Sequence, residues 1–439
     1  MEPQLKRELG LFTCILLVIG NIIGVGIFTT PGEIARDLPT AGWVLIAWLI
    51  GGLMAIAGAL TYAELGAMMP KAGGNYVFLK EAYGPLWGFL YGWAYSLVTT
   101  AGTIALLAIG FGEYLGITTG TWTSKIFSII VILVVTFINM RGVKLGGLVM
   151  DGITLLKIAA MLFLVFLGLF LGNGHSDHFS PFISGNSGSA LLAIAAALVP
   201  MAFAYSGWNS TVIVAEEVKD PGRLIPLSLF LGTLITTIIY ILMNVVYLYA
   251  MPLTQLVGEV KVAHAAAGNL FGPWATRLMT ALVATSVLGC LTATMLSNTR
   301  TVFALSRDGY FFPFAGKVHP TYGTPNGAIL FEGLWACVLV LIGNFETILR
   351  VVSVPLVIIS TMTVLSIFVF RRKNPDMNRP YKCWGYPVVP AIYVLISFFM
   401  LYATVIKRGI YGPIGILVFI LGIPVYYIWK SKMKTELWK

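Results

Sequence analysis

Two apolar stretches of this chain are interrupted near their middles, one by Gly20-Asn21-Ile22-Ile23-Gly24-Val25-Gly26-Ile27-Phe28 and the other by Phe203-Ala204-Tyr205-Ser206-Gly207-Trp208-Asn209. A helix that unwinds leaves main-chain N–H and C=O groups without partners. If the first stretch ends a half-helix near Ile22 and starts another between Gly24 and Gly26, the new start offers N–H groups and the positive end of a dipole, which suit a carboxylate. If the second ends a half-helix near Phe203, its carbonyls suit an ammonium group. A free amino acid carries both charges. Glycine at positions 24 and 26 is expected to permit unusual dihedrals and close approach of a ligand to the backbone.

The elements that must hold these breaks are membrane spans. Of the 439 residues, 58% are hydrophobic and only 10% charged, and the mean hydropathy is +0.88, far from a soluble globular chain. Apolar stretches long enough to cross a bilayer run at about 11–30, 41–67, 84–112, 124–140, 146–172, 189–215, 225–250, 270–303, 324–343, 347–370, 386–406 and 411–429. The reading is an all-α membrane protein with twelve transmembrane helices and no separate soluble domain. The Gly/Thr/Pro end of the first stretch leads into Glu33 and Arg36 without a cleavage pattern, so it is kept as mature structure.

Twenty of the 28 basic residues, from Lys6, Arg7 and Lys144 to Lys439, fall on one side of this arrangement, and seven on the other, with Lys157 set aside. Because cytoplasmic loops retain positive charge, both termini are expected in the cytoplasm. The same distribution accounts for the +10 net charge through topology and excludes nucleic acid as a partner. Cys14, Cys290 and Cys337 sit in apolar stretches and Cys383 in a loop, so no disulfide is expected.

The breaks occupy the first and sixth stretches, five crossings apart. Two five-helix halves then have opposite orientations, the inverted-repeat plan of many secondary transporters. The repeats are expected over about 8–172 and 189–371, with helices 11 and 12 over about 386–430. Gly20 and Gly24 alone could simply pack two helices through a G-x-x-x-G spacing, and a nucleotide loop is excluded because no strand precedes it and no lysine follows. The second break in the matching position favours a binding site over that plain packing. Tyr205 and Trp208 are read as ordinary packing residues.

Lys157 lies about eleven residues, or roughly 16 Å of helix, into the fifth stretch, where an ionisable group marks function. No acidic partner is evident, since Glu64 and Glu113 lie near segment ends and Asp151 is on another face. Carbonyls and hydroxyls are therefore its expected partners. The mixed-charge run Glu216, Glu217, Lys219, Asp220 and Arg223 is read as an inner gate or a loop brace to Arg7 or Arg300.

Taken together, Gly20 to Phe28, Pro70 to Tyr76, Phe203 to Asn209, Glu216 to Pro226 and Ser306 to Gly309 resemble the amino acid-polyamine-organocation superfamily, and within it the L-type amino acid transporters. The resemblance covers about residues 8–430. It implies a leucine-transporter fold and sodium-independent exchange of amino acids, as in a prokaryotic alanine-serine-cysteine exchanger. It places the carboxylate at the main chain of Gly24, Val25 and Gly26, and the amine at the carbonyls of Ile22, Phe203 and Ser206. Where the family often has Ser, this chain has Val25, and where it often has Gly, this chain has Ser206; the larger residue at 206 favours small neutral substrates. The resemblance also puts Lys157 where sodium-driven relatives bind an ion. Lys157 is then expected to tie the unwound part of the first helix to polar groups of the eighth, such as Ser286 or Cys290, and Tyr240 is a candidate gating residue.

A proton symporter using Lys157 and a carrier of larger or cationic amino acids stand as alternatives, followed by a receptor without transport activity. An enzyme is disfavoured because His175, His178, His264 and His319 all fall toward loops and form no metal-ligand set or nucleophile–base pair. A channel would need a continuous polar pore. No metal or cofactor is expected. Partners are amino acid substrates and lipid. Residues 113–125 lack the cysteine through which eukaryotic members join a single-pass heavy subunit, so no disulfide-linked subunit is expected.

Overall fold

Helix ends are set by local chemistry that can be read residue by residue. Pro85 and Pro273 each occupy the first helical position, where the missing N–H costs nothing, behind Gly84 and Gly272 at φ +101° and +84°. Asn344 caps its helix by accepting from the Thr347 N–H at 2.9 Å, with Glu346 in the first turn and Arg371, Arg372 and Lys373 in the last, complementing the helix dipole at both ends.

The computed structural model describes residues 7, 9–71, 73–118, 120–141, 146–184, 187–408 and 411–436. Lys6, Lys144 and Lys439 of the basic set lie outside them. In chain order the α-helices are α1 (Leu11–Ile22), α2 (Gly26–Ala35), α3 (Ala41–Met68), α4 (Asn75–Tyr83), α5 (Pro85–Ala94), α6 (Ala101–Tyr114), α7 (Trp122–Met140), α8 (Gly146–Leu171) and α9 (Ser187–Ala204). They continue as α10 (Ser210–Ile213), α11 (Pro221–Ala250), α12 (Leu253–Leu256), α13 (Val262–Phe271), α14 (Pro273–Arg307), α15 (Asn326–Ile342), α16 (Phe345–Lys373), α17 (Val388–Arg408) and α18 (Tyr411–Glu436). A π-helical turn, Tyr95–Thr100, joins α5 to α6.

Among the described residues there is no named strand, and an isolated bridge pairs Leu9 with Val218. Seven helices there are long and apolar enough to cross a membrane, and α1 and α2 form a further bent pair, turned by 43° at the first break. Shorter apolar helices lie in α9, α15, α17 and α18. The apolar stretches expected from sequence coincide with helices, but α4, α12 and α13 were not anticipated, and the 270–303 stretch is an α14 that runs on to Arg307.

One large buried cluster runs through the molecule, and the two breaks lie inside it: Ile22, Ile23, Val25, Phe203, Ala204 and Tyr205 all belong to it. Helix α11 packs between α3 and α1, while α14 packs on α6, α8 and α15. Glu33 and Arg36 of the α2 region meet Glu346 and Arg350 of α16. Elsewhere Glu64 of α3, 1% exposed, accepts from Arg371 Nε at 2.9 Å and Nη2 at 2.7 Å and from the Cys383 N–H at 2.6 Å. In that loop, burial pushes the Cys383 thiol up to about 11.

Candidate substrate site at the helix breaks

Helix α1 stops at Ile22, whose carbonyl accepts the Gly24 N–H at 2.8 Å in a tight turn, and α2 starts at Gly26. The first N–H groups of α2 have no earlier carbonyl within their own helix to meet. Helix α9 stops at Ala204, the chain turns through Tyr205 to Asn209 with Gly207 at φ +104°, and α10 begins at Ser210.

The two turns touch. A Cβ on Gly207 would lie 2.7 Å from the carbonyl carbon of Asn21, and one on Gly26 would lie 2.7 Å from Ala204 Cα. Glycine is therefore required at Gly207 both by its left-handed backbone and by contact with the other break. Gly24 and Gly26 differ from expectation: their φ angles are not positive, and what they provide is room. Gly24 faces the Cys290 thiol and Gly26 faces the main chain of Ala204. Gly20 packs on Thr154 of α8, so the G-x-x-x-G pair serves two different neighbours.

Three side chains from other helices hold the first break. Lys157 of α8, 5% exposed, donates to the carbonyls of Gly20 and Ile23, both at 2.9 Å. The Tyr240 hydroxyl of α11 lies 2.8 Å from the Ile22 carbonyl and 3.1 Å from that of Ala204, so one proton serves both breaks. Cys290 Sγ of α14 sits 3.8 Å from the Asn21 carbonyl. Ser286 takes no part in this bracing: its hydroxyl is buried and has no hydrogen-bond partner among the described residues. It lies a full turn of α14 before Cys290, and the Lys157 amine bonds two carbonyls of the first break.

A cavity of about 110 Å³ opens between the breaks and is lined by Ile22, Gly24, Val25, Gly26, Phe203 and Ser206, with Cys290 at its edge. Lys157, Tyr240 and Ser286 stand behind its wall. Among the described residues no Asp, Glu, Lys, Arg or His lines it; its polar groups are main chain, hydroxyls such as Thr99, Thr294 and Ser397, and amides such as Asn21 and Asn298.

Two of the three carbonyls assigned to an ammonium are engaged in this conformation. That of Ile22 meets Gly24 N–H and Tyr240, and that of Phe203 accepts the Ser206 N–H at 3.0 Å and the Ser206 hydroxyl at 2.7 Å. Each carbonyl oxygen has two lone pairs, so a ligand cation reaches them by displacing a hydroxyl.

Sequence reasoning missed two features. Asn209 Nδ2 donates to Asn75 Oδ1 at 3.4 Å and Asn75 Nδ2 to the Tyr62 hydroxyl at 2.9 Å, a polar chain beneath the second break that joins distant segments. Glu332, fully buried in α15, was legible by the rule that singled out Lys157, since it interrupts the 324–343 stretch. Tyr205 and Trp208 line the cavity as well as packing: the Tyr205 hydroxyl donates to the Trp48 carbonyl at 3.1 Å, and Trp208 meets Tyr62 edge-on at 4.6 Å. The Glu216 to Arg223 run bonds Leu9, a residue not expected as its partner, through main chain: Leu9 N–H donates to the Glu217 carbonyl at 2.9 Å and Lys219 N–H to that of Leu9 at 3.1 Å.

Known proteins share this sequence along nearly its whole length. The family model described as amino acid permease matches residues 9–426. The chain is 34% identical over 438 residues to the serine/threonine exchanger SteT of Bacillus subtilis (strain 168), covering 98% of each. It is 31% identical to the human b(0,+)-type amino acid transporter 1, over 97% of this chain and 89% of that one, and 28% identical to the human Asc-type amino acid transporter 1, over 98% and 84%. Broken helices around an uncharged cavity, in a chain matched along nearly its whole length, leave one conclusion: this chain belongs to the amino acid permease family and is a membrane transporter rather than an enzyme.

Proposed function

We propose that the protein exchanges small neutral L-amino acids across the cell membrane, without sodium and by alternating access. The observation that carries this reading is the cavity itself, bounded by both breaks and free of charged side chains. A zwitterion has no net charge, and its two ionic ends find main-chain dipoles there at no cost in unpaired charge. A cationic or anionic side chain would enter with a charge that no lining residue balances. The serine/threonine exchanger among the relatives supports both the substrate class and the exchange mode.

In the proposed cycle the substrate carboxylate takes the N–H groups at Gly24, Val25 and Gly26. Its ammonium takes the carbonyls of Ile22, Phe203 and Ser206, displacing the hydroxyls of Tyr240 and Ser206 that hold two of them beforehand. Occupancy is thereby passed to α11. Lys157 and Cys290 keep the first break in shape during the change, and Ser286 stands by as a further polar group on α14. The fold that fits this cycle has twelve crossings and two inverted repeats, about 8–172 and 189–371, followed by two helices over about 386–430. Both termini face the cytoplasm, as the basic loops favour. All four cysteines are buried free thiols, which favours a protein that works in lipid without a disulfide-linked subunit.

Counterflow in proteoliposomes tests the reading. Internal serine, threonine or alanine should accelerate uptake of labelled serine several-fold without a sodium gradient, whereas lysine and glutamate should not. Uptake indifferent to internal amino acid would overturn exchange.

A further inference from the structure

Beside the cavity lies a second group of buried polar side chains, most of which do not line it. It centres on Glu332 of α15, which is 0% exposed and whose carboxyl oxygens both lack a hydrogen-bond partner among the described residues. Facing it is the π-helical turn Tyr95–Thr100. The Ser96 hydroxyl and the Tyr95 phenol are its polar neighbours. Ser96, Thr99 and Thr100 have hydroxyls as unpartnered as the carboxyl. One turn along α15, Trp335 Nε1 donates to the Leu97 carbonyl at 2.7 Å, pinning this helix face to the π turn. Tyr95 and Thr99 also line the transport cavity, so the turn connects the two places.

A bare carboxylate in such a place is costly, because it forfeits solvation and gains no cation. Several cations on the elements packed against α15 are engaged elsewhere, and Arg277 sits in the second turn of α14, far along that helix from Arg300. Lys125 of α7 donates to the Leu341 carbonyl and Arg141 lies over the Phe137 ring, while on α14 Arg300 bonds the Leu296 carbonyl and Arg307 lies over Phe303. Glu113 of α6 pairs with Lys261. Among the described residues the titratable group that faces Glu332 is Tyr95. An alkali cation would need several more oxygens converging on one point, whereas a proton needs only the carboxyl.

We infer that Glu332 is a proton-binding site linked to the transport cycle: it carries a proton while α15 is packed on the π turn, and gives it to water when movement of that turn opens the site. The proton comes from and returns to solvent, and no other group changes charge. Because the packed state needs the proton, turnover falls as pH rises. This inference rests on the exchange reading, and the two fail separately.

The experiment is counterflow of labelled serine from about pH 6 to about pH 8.5, with equal pH on both sides. Wild-type exchange should fall at least about fivefold across this range, and Glu332→Gln, which holds a neutral side chain of the same shape, should vary by less than about twofold. A pH-independent wild type, or a Glu332→Gln protein that keeps the wild-type profile, overturns the inference. If that variant does not assemble, Ser96→Ala decides the matter. Its profile midpoint should move at least about half a unit to more alkaline pH, since the change takes away the neighbouring donor that could turn to the carboxylate once its proton has left, and an unmoved midpoint is the contrary result. Absence of counterflow at about pH 6 would strike the exchange reading instead.

Discussion

The first break is held from outside and the second from within. Between Ile22 and Gly26 no side chain carries a polar atom, and the turn keeps its shape through Lys157, Tyr240 and Cys290, contributed by α8, α11 and α14. The second turn bonds to itself, with the Ser206 hydroxyl on the Phe203 carbonyl and the Ser210 hydroxyl on that of Gly207. Remote substitutions should therefore disturb the first break more deeply than the second, whose bonds to other helices run from Tyr240 to the Ala204 carbonyl, Tyr205 to Trp48 and Asn209 to Asn75. The contrast also divides the labour of transport: three helices are informed of the state of the first break, while the second moves as a preformed piece.

Lys157→Ala is the severest test of that contrast. It leaves the Gly20 and Ile23 carbonyls unpaired in a dry interior, at about 1–3 kcal/mol each. Counterflow should drop about 100-fold while the equilibrium affinity for serine changes less than about tenfold, since the amine does not line the cavity. Rates near wild type would mean that the first break holds its own shape.

Gly207→Ala strikes where the breaks meet. The left-handed backbone costs about 1–2 kcal/mol for a residue with a Cβ, and the clash with Asn21 adds about 1–3 kcal/mol. Exchange should fall about 30-fold, and Gly26→Ala, against the Ala204 backbone, should do nearly as much. Gly24→Ala meets only the end of a side chain, the Cys290 thiol at 2.9 Å, and the double variant with Cys290→Ala should regain most of its loss. Equal and unrescued losses at all three glycines would show that freedom of the backbone, rather than room, is what they supply.

Tyr240→Phe separates the breaks at smaller cost. One hydroxyl that serves both the Ile22 and Ala204 carbonyls is removed, about 1 kcal/mol net, and counterflow should slow about five- to tenfold with KM changed less than about threefold. A change confined to KM would place the phenol in substrate binding alone.

How much of this was legible follows from where each signal resides. Gly20 to Phe28 and Phe203 to Asn209 betray themselves locally, because helix-breaking residues inside apolar runs have few other uses. Lys157 does so through the expense of an amine at mid-depth. What Gly24 and Gly26 are for is not local: their dihedrals are ordinary, and the need for small residues comes from Cys290 and Ala204, which only the tertiary fold brings near. The same holds for Tyr240, whose two acceptors are 218 and 36 residues away, and for the engagement of the Phe203 carbonyl by Ser206. Ser286 misled because sequence locates a hydroxyl on a helix but not which way it faces a partner six helices earlier. Glu332 carries the same signal as Lys157, an ionisable group within an apolar stretch, but the π turn that it packs against comes from a segment more than 200 residues earlier and leaves no mark beside it in the sequence.

The smallest effect is expected at Ser206, and it bears on choice of substrate rather than rate. Its hydroxyl occupies both space at the cavity edge and a lone pair of the Phe203 carbonyl. Ser206→Gly removes both at once. The freed carbonyl becomes available to the substrate ammonium without displacement, and the vacated volume, about that of one methylene and one oxygen, admits a longer side chain. Uptake of leucine relative to serine should then rise about three- to tenfold while serine counterflow stays within about threefold of wild type. Ser206→Ala refills most of the space but not the bond, so it should leave the leucine-to-serine ratio low if volume governs selection, and raise it if the competing hydroxyl does. Because Ser210, Tyr240 and Asn209 keep their bonds to or across the second break, neither change should reach the first, and a loss of exchange as deep as that of Lys157→Ala would mean that the Ser206 bond supports both turns.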